Sequence, residues 1–386
     1  MSIRHASRGA LLALALFALA PTAGALEPFG ARHPALSPDG SQLAFSWQGD
    51  LWVAPRVGGP ARQLTDHVAY DAQPRWSPDG REIAFTSDRY GNADLFVVPA
   101  AGGVPERLTV HSDHDELYDW SPDGRTLYFG SSRESREFLL YAVPRAGGRP
   151  VRVIQDQAWA ARLSPDGQWI AYVRGATEWW RRGYRGPASR DLWLRPTAGG
   201  ASLQLIDWPG DDDLPHWSGD GRALFFQSER EDGVKNLWRQ DLAVSAAGLG
   251  AAGAPVQISR LADDMGFLSV SRDGRWAAFE SEGRLWVLPT AGGTPVSPAI
   301  DCPADDKANA VTRRLMAEGA TEFAFGPGET QLAFVVEGEL YAGLVREGEL
   351  KDCVRLTETV AREKDLAWLD EKTLLFVSDR EGGDDI

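Results

Sequence analysis

The tetrapeptide Ser-Pro-Asp-Gly stands at 37–40, 77–80, 121–124 and 164–167, and returns in degenerate form as Ser218-Gly219-Asp220-Gly221 and Ser271-Arg272-Asp273-Gly274. Successive serines lie 40, 44, 43, 54 and 53 residues apart. That period fits propeller blades of four strands, about 40–45 residues each with loop insertions, and exceeds that of most helical solenoids. Proline presets the turn, aspartate bonds its own backbone, and glycine takes the positive φ that closes a tight hairpin. The recurring Asp39, Asp79, Asp123, Asp166, Asp220 and Asp273 are therefore read as turn formers rather than ligands.

Residues 72–109 show the content of one unit: Gln73-Pro74-Arg75-Trp76, the turn, Glu82 to Ser87, Asp94 to Pro99, Ala101-Gly102-Gly103, and Glu106 to Thr109. Four strands joined by three hairpins are expected, with an aromatic closing the first strand at Trp76, Trp120 and Trp217. Such a sheet cannot bury both faces alone, so neighbouring sheets must supply the core. The expected fold class is all-β: a β-propeller of six four-stranded blades over 26–300, then the start of a second, incomplete β-propeller. Residues 301–314 read as a connector, and 315–386 as the first blade and part of the second blade of that second ring, stopping inside a third strand. The chain is accordingly read as a fragment, because a single eight-bladed ring needs a complete last blade. The 41 Gly and 24 Pro argue against a helix bundle, and 43% hydrophobic residues argue against disorder.

Arg4 and Arg8 precede the apolar run Ala10 to Ala20, followed by Pro21 and Ala23-Gly24-Ala25, the form of a secretory signal peptide over 1–25. The apolar run is shorter than the roughly 20 residues that span a bilayer, so cleavage after Ala25 and no remaining membrane anchor are expected. The localisation expected is export, to a periplasm. A net charge of −15 argues against nucleic acid as a partner. Cys302 and Cys353 allow one bridge or two separate thiols, and their spacing does not choose between them.

No Gly-x-Ser-x-Gly elbow, phosphate loop or His-Glu-x-x-His pair occurs, so no catalytic residue, cofactor or metal site is assigned. Three features can bind something. In Trp179-Trp180-Arg181-Arg182-Gly183-Tyr184-Arg185, the guanidinium groups of Arg181, Arg182 and Arg185 can pair with a peptide carboxylate while Trp179, Trp180 and Tyr184 stack on apolar parts. The alternative is a structural plug packed on a neighbouring blade. Asp71, Asp115 and Asp212 each stand five residues before a strand-closing tryptophan, and can form an acidic rim or be solvated loop residues. The run His111-Ser112-Asp113-His114-Asp115-Glu116 has metal-ligand chemistry, but a polar inter-blade loop has the same composition.

The repeat Trp-Ser-Pro-Asp-Gly, Ile-Ala-Phe, Ser-Asp-Arg, Asp-Leu-Trp/Phe, Gly-Gly, Arg-Leu-Thr resembles the propellers of the tricorn protease family and, more loosely, TolB-type repeats. The aromatic and arginine-rich insertion 179–186, followed by Asp191-Leu192-Trp193, resembles that of the fourth blade in tricorn-like propellers. The resemblance covers about 26–386 and implies a six-bladed ring, a seven-bladed ring, and a serine-peptidase domain further downstream. It implies the non-catalytic region of an exported serine peptidase, guiding or gating peptides or unfolded protein segments, with that downstream domain and a homo-oligomer as partners. The alternatives are a TolB-like protein-interaction propeller and the propeller of a prolyl-oligopeptidase-like hydrolase.

Overall fold

The computed structural model describes residues 26–177, 180–245, 248–303, 318–357, 359, 361–380 and 384–386. The expected signal peptide and residues 304–314 of the connector lie outside the described residues. The chain divides into two compact units, residues 1–308 and 309–386.

In the first unit the repeats become six antiparallel sheets in chain order. The second is representative, with strands Asp71–Trp76, Glu82–Ser87, Asp94–Pro99 and Glu106–Arg107 paired in that order. The first strands of the six sheets are Arg32–Leu36, Asp71–Trp76, Asp115–Trp120, Trp159–Leu163, Asp212–Trp217 and Gly266–Val270. The fifth sheet carries an extra hairpin, Asn236–Ser245 with Gly248–Ala251. The sixth has three strands, with Val296 bridging to Val287 where a fourth is expected.

The Ser-x-Asp-Gly turns work as the sequence predicts. Ser77 Oγ donates to Asp79 at 2.6 Å, Asp79 accepts the Arg81 N–H at 3.1 Å, and Ser77 Oγ accepts the Glu82 N–H at 3.0 Å. The same set recurs at Asp123, Asp166 and Asp220. These bonds hold the exposed turn carboxyls below their ordinary range, and Asp39 falls to about 2.

Core side chains cluster between sheets, as stacked sheets require. Ala35, Leu51 and Val53 of the first meet Trp76, Ile83 and Phe85 of the second, and Ala278, Leu285 and Val287 of the sixth meet Phe45, Trp47 and Trp52 of the first. The sixth sheet therefore lies against the first, and Ile300–Asp301 pairs in parallel with Gly59–Pro60. Trp120 is fully buried, a burial that contributes roughly 1.5–3 kcal/mol for a large apolar side chain.

The closing tryptophans also bond across the junctions. Trp76 Nε1 donates to the Ala35 carbonyl, Trp120 Nε1 to Arg75, and Trp217 Nε1 to Arg162, at 2.9–3.0 Å. Where leucine replaces tryptophan the preceding sheet supplies the bond instead: Leu163 N–H donates to Asp119 Oδ2 at 3.0 Å, and Leu36 N–H to Ser269 Oγ at 3.3 Å.

The second unit holds a four-stranded antiparallel sheet, Ala320–Phe325, Gln331–Val336, Glu339–Arg346 and Glu349–Arg355, and a pair, Glu363–Trp368 with Leu374–Ser378. Its junction repeats the device, with Trp368 Nε1 donating to the Ala324 carbonyl at 3.1 Å.

Candidate functional site: a channel lined by the first strands

All six first strands contribute to one cavity of about 580 Å³ in the first unit. Each of them has a register shift against its neighbour, and in five the shift carries a residue at positive φ: His33, Gln73, Ala160, Leu214 and Phe267. In the third strand the shift lies between Leu117 and Asp119. A bulge re-aims side chains, and these bulged positions line the cavity. Counted back from the turn serine, the fourth residue is His33, Gln73, Leu117, Ala160, Leu214 or Phe267, all of them in the wall.

The fifth residue back adds Glu116, Trp159 and Asp213 to the wall. The second residue back is Arg75, Asp119, Arg162 or His216 in four of the strands, and these reach a narrower recess of about 90 Å³. Carboxylates and guanidinium groups thus stand together in both the cavity and the recess, with Arg75 and Arg162 bordering both. Glu116 accepts from Gln73 Nε2 at 2.6 Å, and burial raises its pKa. Asp213 pairs with Arg190. Burial, reinforced by Arg75 and Arg32, holds His33 at about 3, and His216 is held well below its ordinary value by burial beside Arg162 and Arg75. Both imidazoles are neutral at physiological pH. Burial, with Arg162 beside it, lowers Arg75 to about 9.

The family model described as the tricorn protease N-terminal beta propeller domain matches residues 30–294. The chain belongs to that family. Tricorn protease homolog 1 of Streptomyces coelicolor is 30% identical over 268 residues, 68% of this chain and 20% of that protein. The crystal structure of the tricorn protease superposes with a TM-score of 0.61 at 20% identity, covering 91% of this chain and 33% of that one. TolB from Acinetobacter baumannii superposes with a TM-score of 0.52 at 17% identity, covering 72% of this chain and 67% of TolB. At those identities the structural likenesses show the fold. The chain spans about a fifth of its curated relative and a third of the crystallised tricorn protease.

In this tricorn-family propeller the insertion sits beside the cavity, with Trp180 and Arg182 in its wall. Its guanidinium groups are largely committed. Arg182 Nε pairs with Asp264 at 2.5 Å, and Arg185 Nη1 pairs with Glu229 at 2.5 Å while stacking over Trp208 at 4.5 Å. Arg181 stacks over Tyr184 at 4.3 Å, and Trp180 is exposed. Trp179 lies outside the described residues. Arg182 and Arg185 therefore anchor the insertion to the fifth and sixth repeats, while Trp180, in the cavity wall, and Arg181 are exposed.

The acidic rim is corrected. Asp71, Asp115 and Asp212 are buried, neither an open collar nor solvated loop residues. Each begins its first strand and pairs with the arginine two residues past the second strand's last serine: Arg89, Arg133 and Arg230. Glu363 and Arg380 repeat the pair in the second unit. A carboxylate neutralised in this way cannot attract a cation.

The His111 to Glu116 run also disperses. His111 Nδ1 accepts the Asp113 N–H at 3.1 Å, His114 Nδ1 accepts the Ala93 N–H at 3.2 Å, Asp115 enters its ion pair and Glu116 enters the channel. Among the described residues no three His, Cys, Asp or Glu side chains gather to hold a metal. Cys302 is buried and Cys353 exposed, both as free thiols.

Sequence reasoning missed Arg75, Arg162, Asp213 and His216 as cavity and recess residues, and named Glu116 only within a metal-ligand run. For Arg75, Arg162 and His216 the available signal was register: a charged or imidazole side chain two residues before the turn serine stands where the strand otherwise alternates toward the core.

Proposed function

We propose that this chain is the propeller-forming, non-catalytic region of an exported tricorn-like serine peptidase, guiding or gating peptides or unfolded protein segments for a peptidase domain. In this reading the six sheets of the first unit are the blades of one closed ring, and the second unit belongs to a second propeller. The observation that carries the reading is the cavity of about 580 Å³ bordered by all six first strands, with Trp180 and Arg182 of the insertion beside it. An extended peptide presents apolar side chains and zwitterionic ends, and the wall offers Leu117, Trp159, Leu214 and Phe267 together with both carboxylates and guanidinium groups. The signal-like residues 1–25 support the export in this reading, and membership of the tricorn family supports the homo-oligomer.

The test is fluorescence polarisation of labelled peptides against the whole chain and against Leu214→Trp, which enlarges a wall residue. Saturable peptide binding that Leu214→Trp abolishes, with the melting curve retained, is the expected result. Binding of a folded partner with no peptide binding at all sinks the conduit and favours a docking propeller.

A further inference from the structure

The narrow recess is bordered by two guanidinium groups, neither of which is hydrogen-bonded to a carboxylate among the described residues. Arg162 is 4% exposed. Its Nη1 donates to the Tyr118 carbonyl at 2.6 Å and to the Ala161 carbonyl at 3.0 Å, while its Nε and Nη2 are buried and make no hydrogen bond among the described residues. Arg75 Nε donates to the same Tyr118 carbonyl at 3.0 Å, and its Nη1 to the Pro74 carbonyl at 2.9 Å. Two guanidinium groups from different sheets thus converge on one neutral oxygen, and both border the cavity and the recess.

The surrounding titratable groups leave the charge open. Asp119 attracts both arginines, but its oxygens accept the backbone N–H groups of Trp120 and Leu163. Glu116 is engaged by Gln73, and burial raises its pKa against the pull of Arg75 and Arg190. Asp213 is taken by Arg190. His33 and His216 are neutral, and His216 Nε2 is spent on the Leu268 carbonyl at 2.9 Å. Among the described residues neither guanidinium is hydrogen-bonded to a carboxylate, and a buried cation with unused donors is strongly destabilising until it is paired.

We propose that Arg75 and Arg162 form a binding site for a single carboxylate group inside the channel. The planar guanidinium fork matches a carboxylate. A monoanion suits the site, since a phosphate dianion would bring a second negative charge toward Asp119. This site is separate from the insertion, and it stands whether or not peptides pass along the channel.

The experiment is calorimetric titration of the whole chain with acetylglycine, acetylglycinamide and inorganic phosphate at constant ionic strength and neutral pH, with melting curves alongside. Acetylglycine binds and raises the melting temperature, while its amide and phosphate do neither. Arg162→Met weakens acetylglycine by about tenfold or more, the loss of a charge-assisted hydrogen bond. Glu116→Gln keeps the bond to Gln73 and removes a facing acid, so it tightens acetylglycine and admits phosphate. A gain of affinity cannot arise from misfolding, so this variant decides the matter if Arg162→Met fails to fold. Equal binding of acid and amide, phosphate binding by the unmodified chain, or no tightening in Glu116→Gln overturns the site.

Discussion

Changing Asp115 to Ala tests whether the buried carboxylates are structural. Both oxygens of Asp115 accept from Arg133 Nη2 at 2.7 Å, in a pair whose side chains are 0% and 11% exposed. Arg133 also donates to Ser131 Oγ at 3.1 Å and lies over the Phe129 and Tyr141 rings at 5.1 and 5.0 Å, so it cannot swing out to water without giving up those contacts. Removing one partner of such a pair leaves an uncompensated buried charge, which costs about 3–5 kcal/mol. Removing both, in Asp115→Ala with Arg133→Met, leaves no orphan, so the double variant loses less than the two single losses added. Asp113→Ala removes a His111 contact of 3.9 Å between exposed groups, and its cost stays within about 0.5 kcal/mol. Equilibrium urea unfolding followed by tryptophan fluorescence measures all four. A loss below about 1 kcal/mol for Asp115→Ala, or additivity in the double variant, would refute the structural role and leave the carboxylate free for a ligand.

Other outcomes follow from the same geometry. Burial pushes the Asp212 carboxyl from 3.8 up to about 7 despite Arg230, with Asp191 adding to the rise. The native state therefore holds that proton longer than the unfolded chain, so the group's stabilisation is present below about pH 4 and is lost as pH rises through about 7; urea midpoints fall over that window, and Asp212→Asn flattens the fall. A Cβ at Gly130 would stand 2.1 Å from the Tyr118 hydroxyl, so Gly130→Ala destabilises by about 1–3 kcal/mol, and shortening Tyr118 to Leu in the same chain restores part of the loss in thermal melts. Burial raises the Cys302 thiol to about 12, whereas Cys353 is exposed, so iodoacetamide at mildly alkaline pH labels Cys353 in the native chain and reaches Cys302 only in denaturant; equal labelling of both counts against the packing of Cys302.

The repeat was legible because its determinants are local. Ser77, Asp79 and Gly80 fix their turn within a few residues, and the strands on either side follow from alternation. The role of Asp71 was not legible, because its partner Arg89 is 18 residues away and is reached only when the first strand pairs with the second. A buried ion pair and an exposed acidic loop residue have the same one-letter signature, and only the sheet decides between them. The insertion shows the same limit, since Arg182 and Arg185 carry the composition of a ligand site while Asp264 and Glu229, which neutralise them, come from later repeats.

The division of labour along the first strand explains why the channel was hard to see. The serine, aspartate and glycine recur in each turn because they close it, and the tryptophan before them in three of the six repeats bonds across the junction. The residues two, four and five positions before the serine make no such common bond. Most of them border the cavity or its narrow recess and differ from repeat to repeat: Arg75, Asp119, Arg162 and His216 share one level without sharing a chemistry. A period found by self-similarity selects the architectural positions and discards the variable ones. The variable positions are the ones that border the cavity and its recess, so the informative residues are those at which the register is constant and the residue is not.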